Sequence, residues 1–116
     1  MKLALAFITH FIADFILQSR TMGQRKSSSL KYLALHTSII FLCFLPFGVE
    51  FSACNAFIHA IIDNFIWNVY TASVYFRNKN ATKENWKYWE DHLFYTTIGL
   101  DQLLHGLTII LLMEYL

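Results

Sequence analysis

The sequence predicts an all-α protein, a bundle of four transmembrane helices with both termini outside and a short hairpin between helices 2 and 3. Three observations predict it. Hydrophobic residues make up 56% and charged residues 15%, with a mean hydropathy of +0.41, whereas soluble domains carry about 25% charged residues. A chain of 116 residues has too little interior to hide that much apolar side chain from water. The apolar residues also fall into four runs, at about 1–19, 30–48, 52–76 and 93–116, each close to the roughly 20 residues that cross a bilayer.

The first run is interrupted only by Lys2, His10, Asp14 and Gln18. It has a basic start like a signal peptide but no small-x-small cleavage site, so it is read as a retained helix. The connection at 20–31 is basic and without acids, carrying Arg20, Arg25, Lys26 and Lys31. The second run stops at Pro46 and Gly48, which end helices. A very short turn with Glu50 leads into the third run. Residues 77–92 form a polar connection with Arg77, Lys79, Lys83 and Lys87, and with Trp86, Tyr88 and Trp89 as an interfacial aromatic group. Backbone groups in lipid have no water to bond, so the spans are helices. The whole chain reads as one domain, residues 1–116.

Every basic residue except Lys2 lies in the first or third connection. The positive-inside rule then places both connections in the cytoplasm. The net charge of +1 says nothing about nucleic acid, and because the basic residues sit in two connections and form no stripe along an element, no nucleic-acid partner is expected. The partner is the lipid bilayer, and a homo-oligomer is left open. Cys43 and Cys54 flank the hairpin and read as free buried thiols rather than a disulfide.

The chemistry is concentrated in the spans. His10 and Asp14, His59 and Asp63, and Asp101 and His105 are each four residues apart, so each pair shares a helix face. The third pair is reversed in sequence. Because the fourth helix runs opposite to the first and third, the reversal puts all three aspartates on the cytoplasmic side and all three histidines one turn deeper. His36 lies about six residues into the second helix, near the aspartate layer. An ionisable group in the membrane costs at least roughly 2.5–3.5 kcal/mol unless it finds a partner. These seven groups must therefore face one another.

Three clustered carboxylates repel, and a divalent cation relieves the repulsion while neutral imidazoles complete its ligand set. His10, Asp14, His36, His59, Asp63, Asp101 and His105 are the candidate metal ligands, suited to Zn, Mn or Fe. Seven ligands exceed one tetrahedral zinc, so either two ions bind or some members orient the rest. The rival is a metal-free hydrogen-bonded network. Asp14, Asp63 and Asp101 are also the candidates for catalysis, with one of them left off the metal as a general base. Gln18 and Asn55 continue the two ligand faces as supporting or substrate-facing groups. Arg20 stands at the cytoplasmic mouth, where it serves topology and headgroup binding or grasps a phosphate. Gln102 and Asn64 are expected about 100° off the ligand faces, in helix–helix hydrogen bonds. Asp91 is expected to cap the fourth helix rather than bind metal, and His92 to be exposed.

The stretch from His10 through Asp14 to Gln18 resembles the opening of a family of small bacterial and phage integral membrane proteins, a domain of unknown function. The family's pattern continues with a basic residue (here Lys26 or Lys31), a histidine (His36), a second His-x3-Asp pair (His59 and Asp63) and an Asp-Gln-x2-His close (Asp101, Gln102 and His105). More distantly, the family is similar to inner-membrane metal-dependent hydrolases. The resemblance implies a multi-pass protein of the bacterial inner membrane. Together with the ligand cluster, it leads to the expectation of a metal-dependent hydrolase acting on an amphiphilic, lipid or phosphate-bearing substrate near the cytoplasmic leaflet. Two alternatives from other classes are a non-enzymatic phage or bacterial membrane effector and an ion or proton pathway. In the first the cluster is structural; in the second it conducts.

Overall fold

A computed structural model describes residues 1–19, 22, 26, 29–77 and 87–116. Among them are four helices of ten residues or more and no strand: α1 (Lys2–Phe11), α2 (Leu30–Phe44), α3 (Val49–Arg77) and α4 (His92–Tyr115). Two departures from the expected boundaries matter. The first helix does not continue regularly to residue 19. It widens into a π-helical turn over Ile12–Ile16, closed by the Leu17 N–H reaching back to the Ile12 carbonyl at 2.9 Å. The third helix begins earlier than expected, at Val49, because the hairpin is compressed. Leu45–Phe47 form a single 3₁₀ turn containing Pro46, and Gly48 alone reverses the chain at φ +115°. An L side chain rarely adopts that backbone angle, and glycine has no Cβ to clash there.

Two of the helical segments, Leu30–Phe47 and His92–Tyr115, are long and apolar enough to cross a membrane. The others fall short of that mark for separate reasons. Regular α-helix in α1 is only ten residues long. The length of α3 is ample, but it carries Asn55, His59, Asp63, Asn64 and Asn68.

The packing is arranged with polar groups inside. His36, His59, Asp63, Asp101 and His105 are buried, while Leu42, Phe57, Phe65 and Leu103 are exposed. An apolar core exists as well. It gathers Ala6, Ala13, Ile40, Phe44, Phe51, Ala56 and Ile109. Phe44, Phe47 and Phe51 pack around the hairpin with ring centroids 5.6–5.9 Å apart. The Ser52 hydroxyl donates to the Phe41 carbonyl and ties α2 to α3. The first and last helices approach closely at Gly106, where a Cβ would stand 3.4 Å from the Phe7 ring. Cys43 and Cys54 are free thiols, Cys54 exposed.

At the opposite end of α3, Asp91 caps α4 by accepting from the Leu93 N–H. The same carboxylate accepts from Arg77 Nη1 and Nη2 at 3.1 and 2.9 Å and from the Tyr70 hydroxyl at 2.8 Å. It thus clamps the end of α3 to the start of α4 beside the aromatic group of Trp67, Tyr70, Phe94 and Tyr88. His92 is exposed. The Arg77 guanidinium, with the Tyr70 hydroxyl and the cap, holds the Asp91 carboxyl down at about 2. Because the folded pKa lies below the unfolded one, the clamp contributes in full above roughly pH 4 and is lost as pH falls through about 2. Unfolding measured across that window should lose part of its pH dependence in Asp91→Asn. An unchanged profile would show that the clamp contributes nothing.

Candidate metal centre

Each helix delivers its ligands for a local reason. His59 and Asp63 share one face of the regular helix α3, and Asp101 and His105 share one face of α4. His36 lies two turns into α2 and points inward, fully buried. On the first helix, His10 ends the α-helical part and Asp14 lies within the widened turn. Such single wide turns recur at functional sites, since they swing one side chain off the regular spiral. His10 Nε2 and Asp14 Oδ2 remain 3.7 Å apart.

The groups converge. The imidazoles of His59 and His105 stack with centroids 3.8 Å apart, and the His10 ring lies 5.2 Å from His105 and 5.6 Å from His59. The fourth imidazole, His36, sits among the carboxylates. Its Nε2 is 3.1 Å from Asp14 Oδ1, 3.3 Å from Asp63 Oδ2 and 3.0 Å from His59 Nε2. His59 Nε2 in turn lies 3.5 Å from Asp14 Oδ1 and 3.1 Å from Asp63 Oδ2. These four atoms form one compact group, and Asp14, Asp101 and His105 form a second that shares Asp14.

The first group has the dimensions of a coordination shell. Around a tetrahedral ion with bonds of about 2.0–2.2 Å, neighbouring ligand atoms stand about 3.3–3.6 Å apart. The five separations above, at 3.0–3.5 Å, overlap the lower part of that spacing and fall slightly short of it. The two oxygens facing the histidines, Asp14 Oδ1 and Asp63 Oδ2, are buried and accept no hydrogen bond from the described residues. An orphaned buried carboxylate oxygen is costly. Two of them aimed at two imidazole nitrogens fit a bound cation.

Two residues that were given other roles from the sequence belong to this centre. The sequence puts Lys26 in the basic connection, yet it is only 6% exposed and its Nζ lies 3.3 Å from Asp63 Oδ1 and 3.8 Å from Asp14 Oδ1. The basic position in the family pattern, open between Lys26 and Lys31, was the signal for it. Lys31 is near the Tyr32 ring instead, 5.8 Å from its centroid. Gln102 does bond across helices, but its partners are cluster members. Its amide nitrogen donates to Asp14 Oδ2 at 2.9 Å and Asp101 Oδ2 at 3.2 Å, and its oxygen accepts from His10 Nε2 at 2.9 Å. The offset of 100° from Asp101 turns Gln102 toward α1, which packs directly alongside. His105 Nε2 completes the network, 3.2 Å from Asp63 Oδ1 and 3.3 Å from Asp101 Oδ1.

The remaining candidates are less engaged. Asn55 is buried with its amide nitrogen unpartnered among the described residues, and the Gln18 side-chain oxygen is likewise buried without a donor. Asn64 faces outward and accepts from Asn68 at 3.0 Å. Arg20 lies outside the described residues, as do Arg25, Lys79, Lys83 and Trp86.

Fold and centre together define an all-helical protein with a buried His/Asp cluster whose ligand atoms are close enough to hold a metal ion. The chain belongs to the family DUF3307, described as a protein of unknown function, whose model matches residues 3–116. No curated protein and no solved structure matches it.

Proposed function

We propose that this protein is a membrane-embedded metalloprotein whose centre carries out metal-dependent hydrolysis on an amphiphilic, phosphate-bearing substrate. The observation that carries the metal reading is the convergence of Asp14 Oδ1, His36 Nε2, His59 Nε2 and Asp63 Oδ2, with neither oxygen accepting a hydrogen bond among the described residues. Charge supports it. By formal charge, three aspartates against one lysine leave two negatives, which a divalent cation with neutral histidine ligands would balance.

Lipid as the surrounding solvent is supported by the packing. Only 17% of Leu30–Phe47 and 28% of an apolar 18-residue stretch within His92–Tyr115 are buried inside the protein. A core helix of a soluble protein would be covered. The long axis of 47 Å also suits a bilayer, whose thickness with headgroups is about 40–45 Å. In this reading all four helices span, with α1 and α3 carrying their polar residues inward, both termini outside and the basic connections in the cytoplasm.

A divalent ion at this position would supply a Lewis acid able to activate water and polarise a phosphoryl or acyl oxygen. The chain's own groups set the conditions for such chemistry. Asp14, His36, His59 and Asp63 would supply the four ligands of a tetrahedral ion, so a position open to water would call for an ion that accepts five or six ligands, such as Mn or Fe, or zinc with an expanded shell. Asp101, held by Gln102 and facing His105, is the carboxylate free to take a proton. Lys26 brings a fixed positive charge against which a phosphate can be oriented.

Two measurements test this. Protein purified in mild detergent should retain close to one equivalent of Zn, Mn or Fe; less than about a tenth would sink the metal reading. Loaded protein should release phosphate from short-chain lipid phosphates. Retained metal with no turnover on any phosphate or acyl ester would leave a structural centre and reject the hydrolase.

A further inference from the structure

We propose that the centre is built for one metal ion, and that Lys26 and Gln102 occupy the place a second ion would take. The proposal rests on the metal reading above and narrows it. Two ligand groups sharing Asp14 could in principle make a bridged pair, as in two-metal hydrolases with ions about 3.5–4 Å apart. The two groups are not equivalent in this structure.

Around Asp14 Oδ1, His36, His59 and Asp63 Oδ2, neither oxygen accepts a hydrogen bond among the described residues, and the same holds for Asp101 Oδ1 in the second group; the groups differ at the outer oxygens that a second, bridged ion would need. In the second group the outer oxygens are already taken. Gln102 Nε2 donates to both Asp14 Oδ2 and Asp101 Oδ2. As placed, the amide oxygen accepts from His10 Nε2. An amide nitrogen donates hydrogen bonds and has no acceptor capacity, so it is not a ligand. The flank between Asp14 and Asp63 is covered by the buried Lys26 ammonium, which is also a donor alone. His105 Nε2 is directed at Asp63 Oδ1 and Asp101 Oδ1 and links the two groups.

Lys26 thus acts as a tethered monovalent cation beside a divalent one. It carries one positive charge where a second metal would bring two, and that single charge matches the remaining carboxylate. Gln102 uses its amide in the same way, holding two aspartates together by donation where a glutamate would ligate. Both are positioning residues: they set how many ions the aspartates can accept.

The test is metal stoichiometry. Wild-type protein in detergent, stripped and reloaded with Mn²⁺ or Zn²⁺, should bind one equivalent, and the Mn²⁺ form should give the electron paramagnetic resonance spectrum of an isolated ion. Gln102→Glu adds a ligand, and Lys26→Met removes the tethered cation. The double variant should approach two equivalents and show exchange-coupled Mn²⁺. Lys26→Arg keeps the charge and should stay at one, which also controls for folding. Two equivalents in the wild type would overturn the single-ion inference while leaving the metal centre standing. No metal in the wild type would instead bring down the reading on which it rests. A folded, helical double variant that still binds only one ion would show that Lys26 and Gln102 do not set the count.

Discussion

Replacing Asp63 with alanine should abolish metal binding and destabilise the protein by about 3–5 kcal/mol, the range seen when one partner of a buried ionic group is removed. Asp63 is fully buried, and both of its oxygens are engaged. One of its oxygens faces His36 and His59, and the other faces Lys26 and His105. Without it the Lys26 ammonium keeps, among the described residues, only the more distant Asp14, at 3.8 Å. If the bundle spans a membrane as proposed, an uncompensated ammonium there costs roughly 2.5–3.5 kcal/mol even on the lenient scale. Asp63→Asn separates the two losses, since it keeps the volume and an acceptor for His105 but not the charge. It should unfold less readily than Asp63→Ala yet bind metal equally poorly. Metal content by mass spectrometry and denaturant unfolding in detergent read the two effects independently. Metal retained at the wild-type level in both variants would remove Asp63 from the ligand set.

Stripping the metal from the wild-type protein should lower its thermal midpoint by several degrees and leave it helical. A ligand that binds only the folded state adds roughly 4 kcal/mol when its free concentration is a thousand times its dissociation constant. The four ligands come from α1's widened turn, α2 and α3, which are separate in sequence and are brought together only by folding. The unfolded chain therefore offers no equivalent site. The apolar core around Ile40, Phe44 and Phe51 lies on other residues and should keep the bundle assembled without the ion. Readdition of Mn²⁺ or Zn²⁺ should restore the midpoint, and Asp63→Ala should not respond to chelation at all. A wild-type midpoint indifferent to strong chelators, at measured full metal loss, would reduce the ion to a passenger.

Much of the site could be read before folding because it obeys helical arithmetic. His59 and Asp63, and Asp101 and His105, lie on regular helices, where a spacing of four residues fixes a shared face. The reversed order on the last helix follows from its direction alone. The cap at Asp91 was legible for a similar reason, since it depends on a local backbone geometry. Arg77 and Tyr70 as its further partners were not, because their contact depends on how α3 and α4 cross.

What the sequence by itself determined is an all-helical chain with four apolar segments and seven ionisable groups that need one another, because apolar periodicity and the cost of unpaired charge are local properties. Only the tertiary structure decided which of those groups form the four-atom shell and which are held by Gln102. It widened the turn that carries Asp14, and it brought Lys26 out of a basic connection into the centre. Those outcomes depend on the packing of α1 against α4 near Gly106 and on one long, flexible side chain reaching the carboxylates. Neither has a periodicity that a sequence can display.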